Sequence, residues 1–120
     1  MEPTTAALIL DELPNLHARP DALLWETLRD GVRIHWLYRT GPDGPSAALI
    51  RFEPGATVPL HEHRGYEHIY VLSGSQTDEN GSLASGSLMI HPPGSRHCIS
   101  SAEGCMVLAI YEKPVVFLKE

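Results

Sequence analysis

The sequence predicts an all-β fold, a sandwich or small barrel of eight or more short strands. Glycine and proline, ten of each in 120 residues, interrupt the chain every eight to twelve residues, which is the spacing of short strands. Between these interruptions apolar and polar residues alternate, as they do in strands with one buried face. The length suits one domain with a core of its own.

The predicted strands follow from this alternation in chain order. The first is Val32–Arg39. Two sets of alternating residues, from this strand and the next one, are expected to face the interior: Ile34, Trp36 and Tyr38, then Ala48, Ile50 and Phe52. Further strands are predicted at 67–73, 87–91, 97–100, 106–112 and 115–118. The Asn80-Gly81 dipeptide predicts a two-residue hairpin turn with a solvated tip that begins at Asp78.

The segment before Val32 has two interpretations. It is either a helix over 20–31 that ends at Gly31, or a strand around Leu24 and Trp25 followed by an Asp30-Gly31 turn. Periodicity does not separate these over so short a run. We expect residues 1–30 to form an N-terminal extension that packs on the barrel or on a dimer partner, and residues 31–120 to form the barrel.

Composition excludes several classes of function. The net charge of −6 repels nucleic acid and anionic lipid, so neither is an expected partner. No apolar run is long enough to span a membrane, and the N-terminus lacks the basic and apolar regions of a signal peptide. The two cysteines, Cys98 and Cys105, are expected to be free, buried thiols in a reducing cytoplasm.

Histidine is the residue that points to a site, because five of the seven copies lie between His61 and His97. In an extended segment His61 and His63 project to the same face, and Glu67 has the same parity beyond a bend. His97 follows a rigid Pro-Pro-Gly turn. Three imidazoles and one carboxylate form a mixed site for Zn, Fe, Mn, Ni or Cu, with open positions for water, substrate or dioxygen.

The spacing of these residues resembles the two signature motifs of the cupin superfamily. They read Gly55-x5-His61-x-His63-x3-Glu67-x6-Gly74 and Gly86-x5-Pro92-x-Gly94-x2-His97. The resemblance implies a single-domain jelly roll, the double-stranded β-helix. It also implies one divalent ion per chain, zinc, iron, nickel or manganese, held by His61, His63, Glu67 and His97. Ser101 stands where the second motif has asparagine, a residue that is not a ligand in the family.

Within the superfamily the chain is most similar to the cupin domains of ChrR-type anti-sigma factors and to acetylacetone-cleaving-enzyme-like cupins. The segments that carry this resemblance are 30–39, 47–52, 71–81 and 92–97. It favours the extended form around Trp25. The helical zinc domain with which anti-sigma proteins bind sigma factor has no counterpart in residues 1–30, so sigma-factor binding is not carried over.

Three functions follow as hypotheses: a regulatory or small-molecule-binding metalloprotein, an Fe(II) dioxygenase for a substrate such as a β-diketone, and a metal-assisted isomerase or lyase. His91 is the candidate base for the third. The residues expected in the pocket or around the ligands are Tyr66, His91, Arg96, Trp36, Tyr38, Ile50 and Phe52. His68 is expected on the opposite face of its strand. A homodimer is expected through edge strands at 5–10 or 115–118.

Overall fold

A curled antiparallel sheet makes up most of the molecule. The computed structural model describes residues 6–118, apart from the side chains of residues 14, 17 and 20. Its ten strands are β1 Glu26–Arg29, β2 Val32–Arg39, β3 Ser46–Phe52, β4 Ala56–Glu62, β5 Glu67–Asp78, β6 Gly81–Ala84, β7 Leu88–His91, β8 Arg96–Ser101, β9 Cys105–Tyr111 and β10 Val116–Phe117. Two short 3-10 helices, Leu13–Ala18 and Pro20–Ala22, precede them. The predicted all-β fold is confirmed.

The sheet closes on itself as a jelly roll. The strand order is β1-β2-β3-β9-β5-β8-β4-β10, and β6 and β7 pair with β5. Strand β5 joins the two layers: its first half pairs with β7 and β9, and its second half pairs with β6 and reaches β8 through Thr77 and Ser100. At the two ends of this order, the Arg29 guanidinium of β1 stacks 4.8 Å over the Phe117 ring of β10.

The core has an inner and an outer part. The inner part fills the barrel with alternate residues of most strands, among them Val32, Ile34, Ala48, Ile50, Phe52, Val58, Ile69, Val71, Ile99 and Val107. The outer part covers the reverse face of the sheet, where Leu16 of the first 3-10 helix packs with Leu49, Leu72 and Met106. Burial of each such side chain stabilises the fold by about 1.5–3 kcal/mol.

Most of the segment before β2 is extended: Pro20–Ala22 is a short 3-10 helix, and β1 begins at Glu26, just after Trp25. Strand β1 forms a hairpin with β2 through a tight turn at Gly31, whose φ of 73° is in the left-handed region that glycine tolerates. The expected boundary at residue 30 therefore falls inside a hairpin. Residues 1–5, the start of the expected extension, lie outside the described part of the chain.

Two single-residue bulges change which side chains face the barrel. On β2, Trp36 pairs with the buried Ala48, but Tyr38 pairs with Ala47, so the bulge at Leu37 turns Tyr38 outward. The prediction that Tyr38 faces the interior is wrong, and its side chain is 48% exposed. A one-residue slip reverses every later side chain of a strand.

The second bulge lies on β5, between Val71 and Ser73. Before it, the inward residues are odd-numbered, as at Glu67; after it, they are even-numbered, as at Gln76 and Asp78. The hairpin that follows turns through residues 79–80, one residue earlier than predicted. There the Asn80 amide donates to Asp78 Oδ1 at 2.7 Å.

Candidate metal centre

The first motif brings its residues to one end of the barrel. His61 lies near the end of β4, His63 follows that strand, and Glu67 begins β5 after the bend. Strand pairing supplies two more imidazoles, because His97 lies opposite His61 and His91 lies opposite Glu67. Each of these five side chains is at most 5% exposed.

Four of these residues form a group that could hold one metal ion. Ligand atoms of His63, Glu67, His91 and His97 all lie within 4.8 Å of one another. The expected set had His61 in place of His91. The His61 ring lies beside the group, with its centroid 4.5 Å from that of His97 and 5.2 Å from that of His63. The structure therefore places three of the four expected ligands, His63, Glu67 and His97, in this group together with His91, and it places His61 beside the group.

Hydrogen bonds at Nδ1 fix the orientation of three imidazoles. His61 Nδ1 lies 2.9 Å from the Pro59 carbonyl, which can only accept, so this nitrogen carries the proton. His63 Nδ1 lies 2.9 Å from Ser95 Oγ, whose own proton is donated to the Pro92 carbonyl. In both rings Nε2 is left with a free lone pair, which is the form that binds a metal.

A carboxylate holds the third imidazole. His97 Nδ1 donates to Asp78 Oδ2 at 2.8 Å, and the Asp78 side chain is only 4% exposed. Burial by itself would raise the pKa of Asp78, but the hydrogen bonds from His97 and from the Asn80 amide lower it below its usual value. Asp78 was predicted at a solvated hairpin tip. The bulge in β5 turns it inward instead, and only the pairing register of the folded sheet reveals that bulge.

Unpartnered atoms show that the residues fit a metal. His63 Nε2, His97 Nε2, Glu67 Oε1 and both ring nitrogens of His91 are buried and have no hydrogen bond of suitable geometry to a described residue, although Glu67 Oε1 lies 2.9 Å from His63 Nε2 and 3.1 Å from His91 Nδ1. Buried polar atoms without partners are costly, so a group that binds them all would stabilise this arrangement. A divalent ion with nitrogen and oxygen ligands meets that requirement.

The protonation states of the side chains in the centre also suit metal binding. Burial raises the pKa of the Glu67 carboxyl, but the adjacent His63 and His91 side chains lower it to about 2. Burial lowers the pKa values of His61 and His97 below the usual value. At neutral pH the centre therefore offers an ionised carboxylate at Glu67 and neutral imidazoles at His61 and His97, the forms that ligate metals.

His91 has surroundings unlike those of the other imidazoles. Its Nδ1 lies 3.1 Å from Glu67 Oε1 and its Nε2 lies 3.7 Å from Asp78 Oδ2. The ring also stacks on His63, with centroids 4.6 Å apart. Each ring nitrogen thus faces a carboxylate, and neither is fixed by a hydrogen bond. Such a residue can hold a proton between two acids.

A largely apolar cavity of about 350 Å³ adjoins the centre. The expected pocket residues Trp36, Ile50 and Phe52 line it, and so do His61 and Glu67. The polar lining includes two further residues that the sequence did not indicate, Gln76 and Tyr111. Burial, and secondarily Glu67, hold the pKa of Tyr111 well above its usual value, so its hydroxyl stays protonated.

Three of the expected pocket residues lie elsewhere: Tyr38, which the bulge in β2 turns outward, Arg96 and Tyr66. Arg96 is exposed and its Nε donates to Glu62 at 3.0 Å, a surface ion pair. Tyr66 is 48% exposed, and its backbone amide donates to Glu112. None of the three lines the cavity. The Cys98 thiol is exposed, whereas a buried thiol was expected; Cys105 is buried, and both are free.

The chain belongs to the family described as the ChrR cupin-like domain, which it matches over residues 14–115. A protein of Cereibacter sphaeroides provisionally named dimethylsulfoniopropionate lyase DddL is 32% identical over 79 residues, which are 59% of this chain and 34% of that protein. The chain thus spans about a third of the length of this curated relative.

Solved structures show the same fold. The complex of Rhodobacter sphaeroides SigE with the anti-sigma ChrR matches with a TM-score of 0.67 and 27% identity, covering 89% of this chain and 70% of that chain. An acetylacetone dioxygenase from Acinetobacter johnsonii matches with a TM-score of 0.76 over all of this chain and 81% of its own, at 12% identity. Within the described residues no helix has the length and apolar character needed to cross a membrane.

Proposed function

We propose that this chain is a mononuclear metalloprotein that binds one divalent ion through His61, His63, Glu67 and His97 and a small organic molecule in the adjoining cavity. The observation that carries the proposal is the set of three imidazoles whose Nδ1 atoms are held by acceptors. Zinc, iron, nickel and manganese all accept this ligand set. When bound, the ion would supply a Lewis acid beside the cavity.

The choice of His61 over His91 rests on the surroundings of their ring nitrogens. His61 has one nitrogen bonded to a carbonyl and the other left over, as a ligand needs. His91 has a carboxylate near each nitrogen and no hydrogen bond that sets one nitrogen aside for a metal. We therefore place His91 beside the metal as the group that holds or moves a proton.

Elemental analysis of untagged protein purified without chelators tests this proposal. We expect one equivalent of metal per chain in the wild type, and a sharp loss of metal in His63→Ala and His61→Ala. We expect full occupancy in His91→Ala. His68→Ala is the matched control, because His68 lies on the opposite face of β5. Retained metal in His61→Ala with loss in His91→Ala would assign the fourth position to His91, and full occupancy in His63→Ala would refute the centre.

A lyase is the second candidate function. The observation that favours it is the relationship to the protein named as a dimethylsulfoniopropionate lyase, together with proton-carrying groups beside the cavity. His91 lies 3.1 Å from Glu67, and Tyr111 is paired with Glu67 in the sheet. His91 could take a proton from the carbon next to the carboxylate while the carbon–sulfur bond breaks and dimethyl sulfide leaves, and the Tyr111 hydroxyl, which stays protonated, could donate a hydrogen bond to the substrate. Release of dimethyl sulfide from dimethylsulfoniopropionate by metal-loaded protein, lost in His91→Ala or Tyr111→Phe, would support it.

The dioxygenase hypothesis has weaker support. The likeness to the acetylacetone dioxygenase, at 12% identity, is one of fold alone. The largely apolar cavity next to the centre suits a β-diketone. Oxygen uptake by iron-loaded protein with acetylacetone, under the same conditions as the lyase assay, tests the two activities side by side.

We also propose that the chain acts in the cytoplasm as a homodimer. The surface that supports a dimer is the outward face of β7 and β9, which lie on either side of β5, where Leu88, Ile90 and Ile110 are 58%, 50% and 41% exposed. Exposed apolar side chains on an edge strand favour association. Light scattering should give twice the chain mass, and Ile90→Lys should give the monomer.

A further inference from the structure

Arg39 lies at the rim of the cavity. It is the last residue of β2, and it lines the cavity together with Gly41, Pro42 and Gly44 of the loop that follows. Its guanidinium carbon is 4.3 Å from the centroid of the Trp36 ring, a wall residue of the same cavity. This cation–π contact holds the guanidinium over the aromatic wall and leaves its N–H groups for hydrogen bonds to a ligand.

No described residue neutralises this cation. The nearby loop carboxylate, Asp43, lies 3.8 Å from Lys113, which follows the end of β9. Arg64 and Arg96 share Glu62, but Arg39 forms no ion pair among residues 6–118. The protein has a net charge of −6, so carboxylates are plentiful elsewhere on its surface. An unpaired arginine at the entrance of an apolar cavity indicates a partner of opposite charge.

The residues that line the cavity indicate the chemistry of the part of the ligand that does not contact Arg39. Ile50, Phe52 and Val58 contribute apolar surface, and the volume of about 350 Å³ is at the lower end of small-molecule sites. Gln76 also lines the cavity, is 4% exposed, and has no side-chain hydrogen bond to a described residue. A ligand that fits has a short apolar body and an anionic end.

We propose that the cavity binds a small organic carboxylate with an apolar body, and that the Arg39 guanidinium holds its carboxylate at the entrance. This inference rests on the proposed function, because it gives the chemical class of the molecule that enters the cavity beside the metal centre. The apolar body lies against the Trp36 side of the wall. Arg39 is thus a specificity-determining residue that selects acids over neutral analogues.

Calorimetric titration with hexanoate and its neutral isostere hexanamide tests the inference. Zinc-loaded protein of measured metal content and metal-free protein are both titrated, so that a failure of the metal centre is recorded separately from a failure at Arg39. We expect hexanoate to bind wild type at least tenfold more tightly than hexanamide. In Arg39→Gln the hexanoate affinity should fall about tenfold or more, with little change for hexanamide.

The matched control is Arg33→Gln, because Arg33 lies on the same strand, is exposed and does not line the cavity. Hexanoate should bind this variant as tightly as wild type, within twofold. The Arg39→Lys variant keeps the charge without the planar stack and should give an intermediate affinity. Equal binding of hexanoate to wild type and Arg39→Gln would overturn the inference. So would equal affinities for hexanoate and hexanamide, or no binding of hexanoate at millimolar concentration.

Discussion

The contact between Asp78 and His97 predicts that a residue outside both sequence motifs controls metal affinity. Asp78 Oδ2 accepts from His97 Nδ1 at 2.8 Å, with side chains 4% and 1% exposed. The Asp78→Asn substitution keeps the size of the side chain and removes the charge. A buried hydrogen bond to a charged group is worth about 1.5–3 kcal/mol, whereas a neutral one is worth about 0.5–1.5 kcal/mol. Removal of such a partner of a metal ligand lowers affinity by about 10- to 100-fold.

The assay is competition for zinc against a chromophoric chelator. We expect Asp78→Asn to weaken zinc binding about tenfold or more. Ser95→Ala, which removes the neutral partner of His63, should have a smaller effect, since its bond at 2.9 Å involves no charge. Glu79→Gln is the control, because Glu79 is the next carboxylate along the chain, is exposed and does not contact a ligand.

Nuclear magnetic resonance of the metal-free protein separates the two ways in which Asp78 could act. If Asp78 orients His97, the ring nitrogens of His97 should show one tautomer, protonated at Nδ1, in wild type and a mixture in Asp78→Asn. Zinc affinity in Asp78→Asn within twofold of wild type, with the same tautomer, would refute the reasoning.

Three further outcomes are expected. Gly74→Ala should destabilise the protein by about 2–5 kcal/mol in urea unfolding, because an added Cβ would overlap the Gly104 carbonyl oxygen and the φ is 74°; Gly86→Ala, with a φ of 90° but no atom within 4 Å of the added Cβ, should cost only the backbone strain and therefore less. The pKa of the Glu67 carboxyl is about 2 in the folded protein, which is below its pKa in the unfolded chain. The ionised carboxylate therefore stabilises the fold fully above the unfolded-state pKa, and this stabilisation is lost as the pH falls towards the folded-state pKa. The melting temperature of metal-free protein should therefore fall between about pH 5 and about pH 2.5, less steeply in Glu67→Gln. In native protein only Cys98 should react with Ellman's reagent, because burial raises the pKa of Cys105 to about 11; two rapid equivalents would contradict this.

The alternation of apolar and polar residues along the sequence predicted several of the strands. Strand β2 begins and ends at the predicted residues, and the segment 115–118 contains the short edge strand β10. The residues before Val32 were ambiguous because a helix and a strand of that length share the same apolar spacing. Pairing of β1 with β2 decides between them, since the inward-pointing backbone amides of β1 then have hydrogen-bond partners across the sheet.

The candidate metal centre was likewise predicted in part from local sequence and decided in part by strand pairing. The spacing of His61, His63 and Glu67 indicates a shared face, because residues two apart in extended chain project together. His97 reaches the same point through pairing with β4. The entry of His91 into the group follows from its pairing with Glu67, a contact across 24 residues that no local pattern contains. The proposal that His61 is a ligand and His91 a proton carrier rests on the tertiary surroundings of each ring rather than on the motif.

The sequence by itself determined the class of fold, the family and the residue types of the centre, because motif spacing and strand alternation are written in consecutive residues. Only the tertiary structure decided which side chains face the barrel after a bulge. A bulge adds one residue without altering the alternation, and the period of two then reverses everything that follows. For that reason Tyr38 lies outside the barrel, whereas Asp78 lies inside it against His97.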